Sequence, residues 1–236
     1  MNKVLATTLA ATLVSAFTST AALADDSYPK NPILRPITLA DGDFELVGAI
    51  GHVSKIDGED KGYIVPAIRY GITDNLTVGL NGVSYRFLAK DDLQLAANVG
   101  LRGHFDSKAF GDSTGYGFSV GGKKVLSDNL ALTFGVGYVH WDEDVLKDRS
   151  EIDYSVGLMF NVAEDWTIGA SYKLRDLEDF SQSTANVIGL NVNYAVSNRL
   201  DVGLFTAGSN FDDRVGGKVV HNSFDTTTGA FVAWRW

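Results

Sequence analysis

A small polar turn recurs along this chain, and its spacing limits what the chain can fold into. Ile72-Thr-Asp-Asn-Leu76, Leu126-Ser-Asp-Asn-Leu130, Val162-Ala-Glu-Asp-Trp166 and Val196-Ser-Asn-Arg-Leu200 each set turn residues between two apolar ones, and Leu88-Ala-Lys-Asp-Asp-Leu93 is a looser copy. The residues that follow the turns, Leu93, Leu130, Trp166 and Leu200, are spaced 34 to 37 residues apart. The repeating unit is therefore a hairpin of two strands, one short turn and one longer loop. Each strand has about 11 residues, which at ~3.3 Å per residue and ~45° of tilt rise about 25 Å, the height of the apolar band of a membrane barrel.

Alternation gives each strand two unlike faces. Leu130, Leu132, Phe134, Val136 and Tyr138 oppose Ala131, Thr133, Gly135 and Gly137; Ile152, Tyr154, Val156, Leu158 and Phe160 oppose Asp153, Ser155, Gly157 and Asn161. A soluble secreted sandwich would show the same alternation with its apolar face turned inward, so periodicity alone leaves both folds open. The two ends of the chain favour the membrane. Met1 to Lys3 is a short positive start, Val4 to Phe17 an apolar run too short to span a bilayer as a helix, and Ala22-Leu-Ala24 a small-residue cleavage site. At the other end Ala230, Val232, Trp234 and Trp236 share one face of a final strand that ends on an aromatic residue. This ending resembles the carboxy-terminal insertion signal of bacterial outer-membrane β-barrels. The resemblance implies recognition by the barrel-assembly machinery, and a home among outer-membrane lipid and lipopolysaccharide after signal-peptide cleavage.

Composition agrees. Twenty-five glycines, thirteen phenylalanines and nine tyrosines suit many short strands. The absence of cysteine excludes a disulfide framework and a lipid anchor on cysteine. A formal net charge of −9 argues against nucleic acid as a partner.

Three of the four prolines, Pro29, Pro32 and Pro36, fall within residues 25–42, so this stretch reads as an extended lead-in, lying in the periplasm or folding back into the barrel mouth. The phrase from Arg35 to Leu46, Arg-Pro-Ile-Thr-Leu-Ala-Asp-Gly-Asp-Phe-Glu-Leu, is similar to the start of a family of porin-like outer-membrane proteins. The predicted organisation is a signal peptide over 1–24, the lead-in over 25–42 and an all-β, antiparallel, up-and-down transmembrane barrel over 43–236. Only thirteen residues separate the turns at Thr73 and Ala89, too few for two full crossings. Two short strands breaking at Asn81-Gly82 would give twelve strands; a hairpin over 76–88 folded out of the wall would leave ten.

Function is expected in the lumen. Inward positions carry Arg69, Arg86, Arg102, Lys123, Lys173, Arg175 and Arg235 with Glu45, Glu151, Asp153 and Asp201, interleaved with glycines. From these, Arg69, Arg86, Arg102, Lys123, Asp153, Lys173, Asp201 and Arg235 are taken as lumen-lining. Buried charges need water or partners. One reading is a porin-like channel passing small polar or anionic solutes; the other is a salt-bridged, non-conducting barrel whose loops bind at the cell surface. A hydrolase comes third: no Gly-x-Ser-x-Gly or His-Glu-x-x-His is present, and His140 near Asp142 and Asp144 falls on the apolar face beside Tyr138 and Trp141. No cofactor or metal is expected. The acidic loops at Asp142 to Asp144, Asp176 to Asp179 and Asp212-Asp213 lack calcium-loop spacing and read as solvated surface.

Overall fold

The computed structural model describes residues 28–54, 60–107, 110–219 and 225–236. The predicted leader, residues 55–59 and His221 lie outside them. Twelve antiparallel strands close into a barrel. They are β1 (Phe44–Ser54), β2 (Lys61–Thr73), β3 (Leu76–Gly79), β4 (Gly82–Lys90), β5 (Leu93–Ser107), β6 (Gly111–Ser127), β7 (Leu130–Glu143), β8 (Arg149–Ala163), β9 (Trp166–Glu178), β10 (Thr184–Ala195), β11 (Leu200–Ser209) and, after a small hairpin of β12 (Arg214–Val215) and β13 (Lys218–Val219), β14 (Thr226–Arg235). Successive strands are neighbours throughout, and β14 closes against β1 with Glu45 opposite Arg235. Trp236 and Phe44 exchange backbone hydrogen bonds at 2.9 and 3.1 Å beneath stacked rings 4.5 Å apart. The terminal aromatic thus seals the seam of the barrel.

The twelve-strand count is the one expected, and it is reached as the sequence suggested: β3 and β4 form a short hairpin that turns at Leu80-Asn81. Faces follow the alternation. Ile64, Val99, Phe118, Val156, Phe160 and Leu204 point outward and are exposed, as a lipid-facing surface requires. Val232, Trp234 and Trp236 of the terminal signal also point outward. His140 lies outward as well, with Nε2 3.9 Å from Asp148, away from the lumen.

Large inward side chains lie flat against the wall where a neighbouring strand offers a glycine. A Cβ on Gly51 would sit 2.5 Å from the Tyr63 ring, one on Gly229 2.6 Å from Phe205, and one on Gly115 2.9 Å from Trp141; Phe231 covers Gly203 in the same way. These glycines let the aromatic rings pack sideways against the wall. Replacing Gly203 with Val removes the seat of Phe231. We expect a loss of about 1–3 kcal/mol from overpacking, read as a lower midpoint of heat-induced gel-mobility shift.

Candidate functional site: a plugged lumen with a polar chamber

The lead-in folds back into the barrel. Residues 28–43 fill the end with the short turns, and Ile33, Arg35, Thr38 and Leu39 are all but completely buried there. Proline keeps this segment out of the strand ladder, and side chains from many strands take up its polar groups. Gln94 Oε1 on β5 accepts from Ile37 N at 3.0 Å, Thr77 Oγ1 on β3 from Leu39 N at 2.8 Å, and the Asp128 carbonyl from Asn31 at 2.8 Å. Lys30 pairs with Asp165 at 2.6 Å, and this contact holds its ammonium pKa above the ordinary value.

Arg35 is the anchor. Its guanidinium binds both oxygens of Asp201 on β11, at 2.5 and 3.1 Å, and donates to the carbonyls of Pro29 and Lys30. Asp201 is also 2.7 Å from Arg235, which lies 2.8 Å from Glu45, and Glu45 binds Arg69 through Nε at 2.8 Å. Lys123 on β6 donates to the Arg35 carbonyl from the far wall. The result is a buried belt of alternating charge joining β2, β1, β14 and β11 to the plug. The Tyr28 ring stands 5.5 Å from the Arg35 guanidinium, and burial drives the Tyr28 hydroxyl pKa well above its usual value.

The predicted lumen residues divide into three groups. Arg69, Lys123, Asp201 and Arg235 are committed to the plug belt. Arg86 is tied to the β2–β3 turn through Asn75 Oδ1 at 3.0 Å and the Asp74 carbonyl at 2.9 Å. The remaining three, Arg102, Asp153 and Lys173, face a chamber above the plug. Lys173 pairs with Asp153 at 2.9 Å, with about a fifth of each side chain exposed. Arg102 donates to Ser119 Oγ at 3.1 Å and, among the described residues, makes no ion pair. Asn98, Thr133, Ser155 and Ser171 share this wall and stay partly exposed although they point inward. The opposite wall is apolar, formed by Ala49, Val53, Tyr63, Val65 and Phe205 with Val187 and Phe231.

At the end with the longer loops, Arg149 is buried among acids and aromatic rings. It binds Glu143, at 2.9 Å through Nε, and Asp213, and lies 4.6 Å from the Phe180 ring. Phe211 packs against Phe180 at 5.7 Å and beneath Arg175 at 4.2 Å, while Arg175 also binds Glu151 at 2.8 Å. Two acids expected to be solvated, Glu143 and Asp213, are therefore buried ion-pair partners. Their strand-end and loop positions carry no periodicity that would have marked them. Arg35 was visible only within a proline-rich phrase, because its partners are remote in sequence.

The plug's junction with β1 is pH-sensitive. Burial, with Asp74 and Asp41 nearby, pushes the Asp43 carboxyl up to about 6, against the opposing hydrogen bond from Ala40 N. A raised carboxyl pKa means that the folded state binds this proton more tightly than the unfolded chain. Stability from this group is therefore full below about pH 4, falls as pH rises to about 6 and is flat above. Denaturant midpoints between pH 4 and 7 should fall by this course, and Asp43→Asn should flatten the profile. In the belt, Glu45→Ala takes one of the two carboxylates from buried Arg235, leaving Asp201 against it, and removes the carboxylate bound to Arg69. A loss of about 3–5 kcal/mol is expected, measured by urea unfolding in detergent.

The chain matches the description "outer membrane protein beta-barrel domain" over residues 9–195. No curated protein matches it. Among solved structures it is similar to the NanC porin, with 11% identity and a TM-score of 0.56, covering 81% of this chain and 98% of that one. It is also similar to the KdgM porin in complex with disordered oligogalacturonate, with 9% identity, a TM-score of 0.55 and coverage of 80% and 98%. The anion-selective porin from Comamonas acidovorans aligns with 10% identity and a TM-score of 0.48 over 82% of this chain and 98% of that one. At these identities the likeness is one of fold.

Proposed function

The chain belongs to the outer-membrane β-barrel protein family, and from that premise we propose that it is a porin-like channel for small polar or anionic solutes, held shut at its periplasmic end by residues 28–43. The observation that carries this reading is the chamber wall of β5 to β9. Its inward side chains are small and polar, and they keep partial exposure inside a closed barrel. Burying such groups without water or partners is unfavourable, so the wall suits a hydrated path. Arg102 and Lys173 place two cations on it against Asp153, a balance that favours anions modestly. The likeness to the NanC and KdgM porins supports a channel architecture without naming the solute.

In this reading residues 1–24 are removed on export, and the terminal signal from Ala230 to Trp236 is read by the barrel-assembly machinery. The mature chain sits among lipid and lipopolysaccharide with its short turns in the periplasm. Passage of a solute requires the plug to shift, and the Arg35–Asp201 pair is the contact that must open.

The plug also favours a second reading, a closed barrel whose surface loops do the work. Single-channel conductance of residues 25–236 in a planar bilayer separates the two. The intact chain should show brief, infrequent openings, and Arg35→Ala or removal of residues 28–41 should raise open probability at least several-fold. Arg102→Gln should shift the reversal potential in a salt gradient toward cation preference. Silence from all variants, with folding shown by heat-modifiable mobility, selects the closed barrel.

A further inference from the structure

The short β3–β4 hairpin leaves the barrel wall incomplete. Arg69 pairs with Gly79, and the last contacts across the hairpin tip are Leu80 N to the Ile68 carbonyl at 3.2 Å and Leu101 N to the Asn81 carbonyl at 2.8 Å. Above that level, among the described residues, neither β2 from Gly62 to Ala67 nor β5 beyond Leu101 has a strand on its facing edge, although β1 and β6 continue to pair with their other edges. The Ile68 carbonyl points toward the hairpin, and backbone direction alternates along a strand, so Gly62, Ile64 and Pro66 turn their backbone groups into the gap. Proline stands where a backbone donor would have had no partner, the edge position that tolerates it. Gly82 and Gly100 close the tip: a Cβ on Gly100 would fall 2.6 Å from the Gly82 Cα, so this end of the hairpin has no room for side chains.

The height of the notch places it in the membrane. Six residues of β2 and eight of β5 lie below it, which at ~3.3 Å rise and ~45° tilt puts its floor about 14–19 Å above the periplasmic turns, inside an apolar band of about 25 Å. The outer rim is apolar, with Ile64, Leu80, Val99 and Leu101 all exposed. Inside, the large side chains of both edges lean away from the gap. Tyr63 lies over Gly51 and bonds Thr227 at 2.9 Å, while Arg102 lies over Gly117 and bonds Ser119. Open backbone edges are tolerated at membrane depth only where they line a watered cavity or meet a partner, and inside this one the apolar face of β2 at Tyr63 and Val65 meets the partly exposed polar wall that begins on β5 with Asn98 and Arg102.

We infer that the gap between β2 and β5 is a lateral portal joining the chamber to the outer half of the bilayer, and that it admits amphipathic molecules with an apolar tail and an anionic head. The tail lies across the apolar rim, and the head meets the Arg102 guanidinium just inside. This goes beyond the channel proposed above and is independent of it, since the portal needs no opening of the plug.

The chain has no cysteine, so single fluorophores can be placed in the folded barrel. One goes on Ser84→Cys, inward on β4 beneath the notch, and another on Ser171→Cys, on the far wall. With the protein in phosphatidylcholine vesicles, a long-chain carboxylate carrying a nitroxide on its tail should quench Ser84→Cys several-fold more than Ser171→Cys. Lengthening the β3–β4 hairpin by two residue pairs at Leu80-Asn81 should abolish the difference. Arg102→Gln should weaken quenching by the carboxylate while leaving that by an uncharged nitroxide alcohol unchanged. Equal quenching at the two sites, or persistence of the difference in the lengthened hairpin, would overturn the portal. Equal loss with both quenchers in Arg102→Gln, or loss with neither, would overturn the anionic-head assignment. Conductance reports on the channel separately, so either reading can fail alone.

Discussion

Backbone pairing in hydrocarbon is the constraint on which this structure depends. A strand exposed to lipid with an open edge leaves amide and carbonyl groups without water, so a chain of short amphipathic strands is stable in a membrane only as a closed ring. The closing pair, β1 with β14, is accordingly reinforced at its weakest point. The carboxy-terminal residue bonds Phe44 through both backbone groups, and the Glu45–Arg235 pair locks the seam from within. Among the described residues, the stretch of wall that departs from the rule, above the β3–β4 hairpin, is where Pro66 and two facing glycines occur.

Closing the ring creates a second problem, the inside. A twelve-stranded barrel is too wide for its own side chains to fill and too narrow to ignore them. This chain treats its two ends differently. Near the periplasm a separate segment is drawn in, and inward residues on nearly every strand are buried against it. Higher up, glycines on the adjacent strands take the aromatic rings, and the polar wall of β5 to β9 remains partly exposed. The same glycine-rich composition that identifies a barrel in the sequence thus also governs how much of the lumen stays open.

Much of the fold was legible because it depends on local periodicity. Alternation assigned the lipid face, and turn spacing located the hairpins. Even the awkward thirteen residues before Ala89 pointed to a hairpin breaking at Asn81-Gly82, since length alone forbids two crossings. The candidate site was legible only in part. Alternation placed Arg102, Asp153 and Lys173 inward, but it could not tell them from Lys123 and Asp201, which face the same way and serve the plug instead. That distinction rests on residues 28–43, whose position is decided by contacts spanning up to 166 residues of sequence. No periodic signal encodes such contacts. For the same reason Glu143 and Asp213 passed as surface acids: their partner Arg149 is found only after the loops fold inward.

The charge belt gives the plug an ionic anchor beside the apolar packing of Ile33, Leu39 and Tyr28. An entirely greasy plug would be a permanent core, with hydrophobic burial binding it in one place. Arg35, Asp201, Arg235, Glu45 and Arg69 form instead a chain in which each carboxylate is shared by two guanidiniums. If Arg35 withdraws, Asp201 keeps Arg235 and Glu45 keeps both of its partners, so these belt charges stay paired, and Lys123 alone on the wall gives up its contact with the Arg35 carbonyl. Removing a wall carboxylate breaks two pairs at once, whereas removing the plug leaves the Arg69–Glu45–Arg235–Asp201 chain paired with itself. The belt is built so that the plug is the member it can lose.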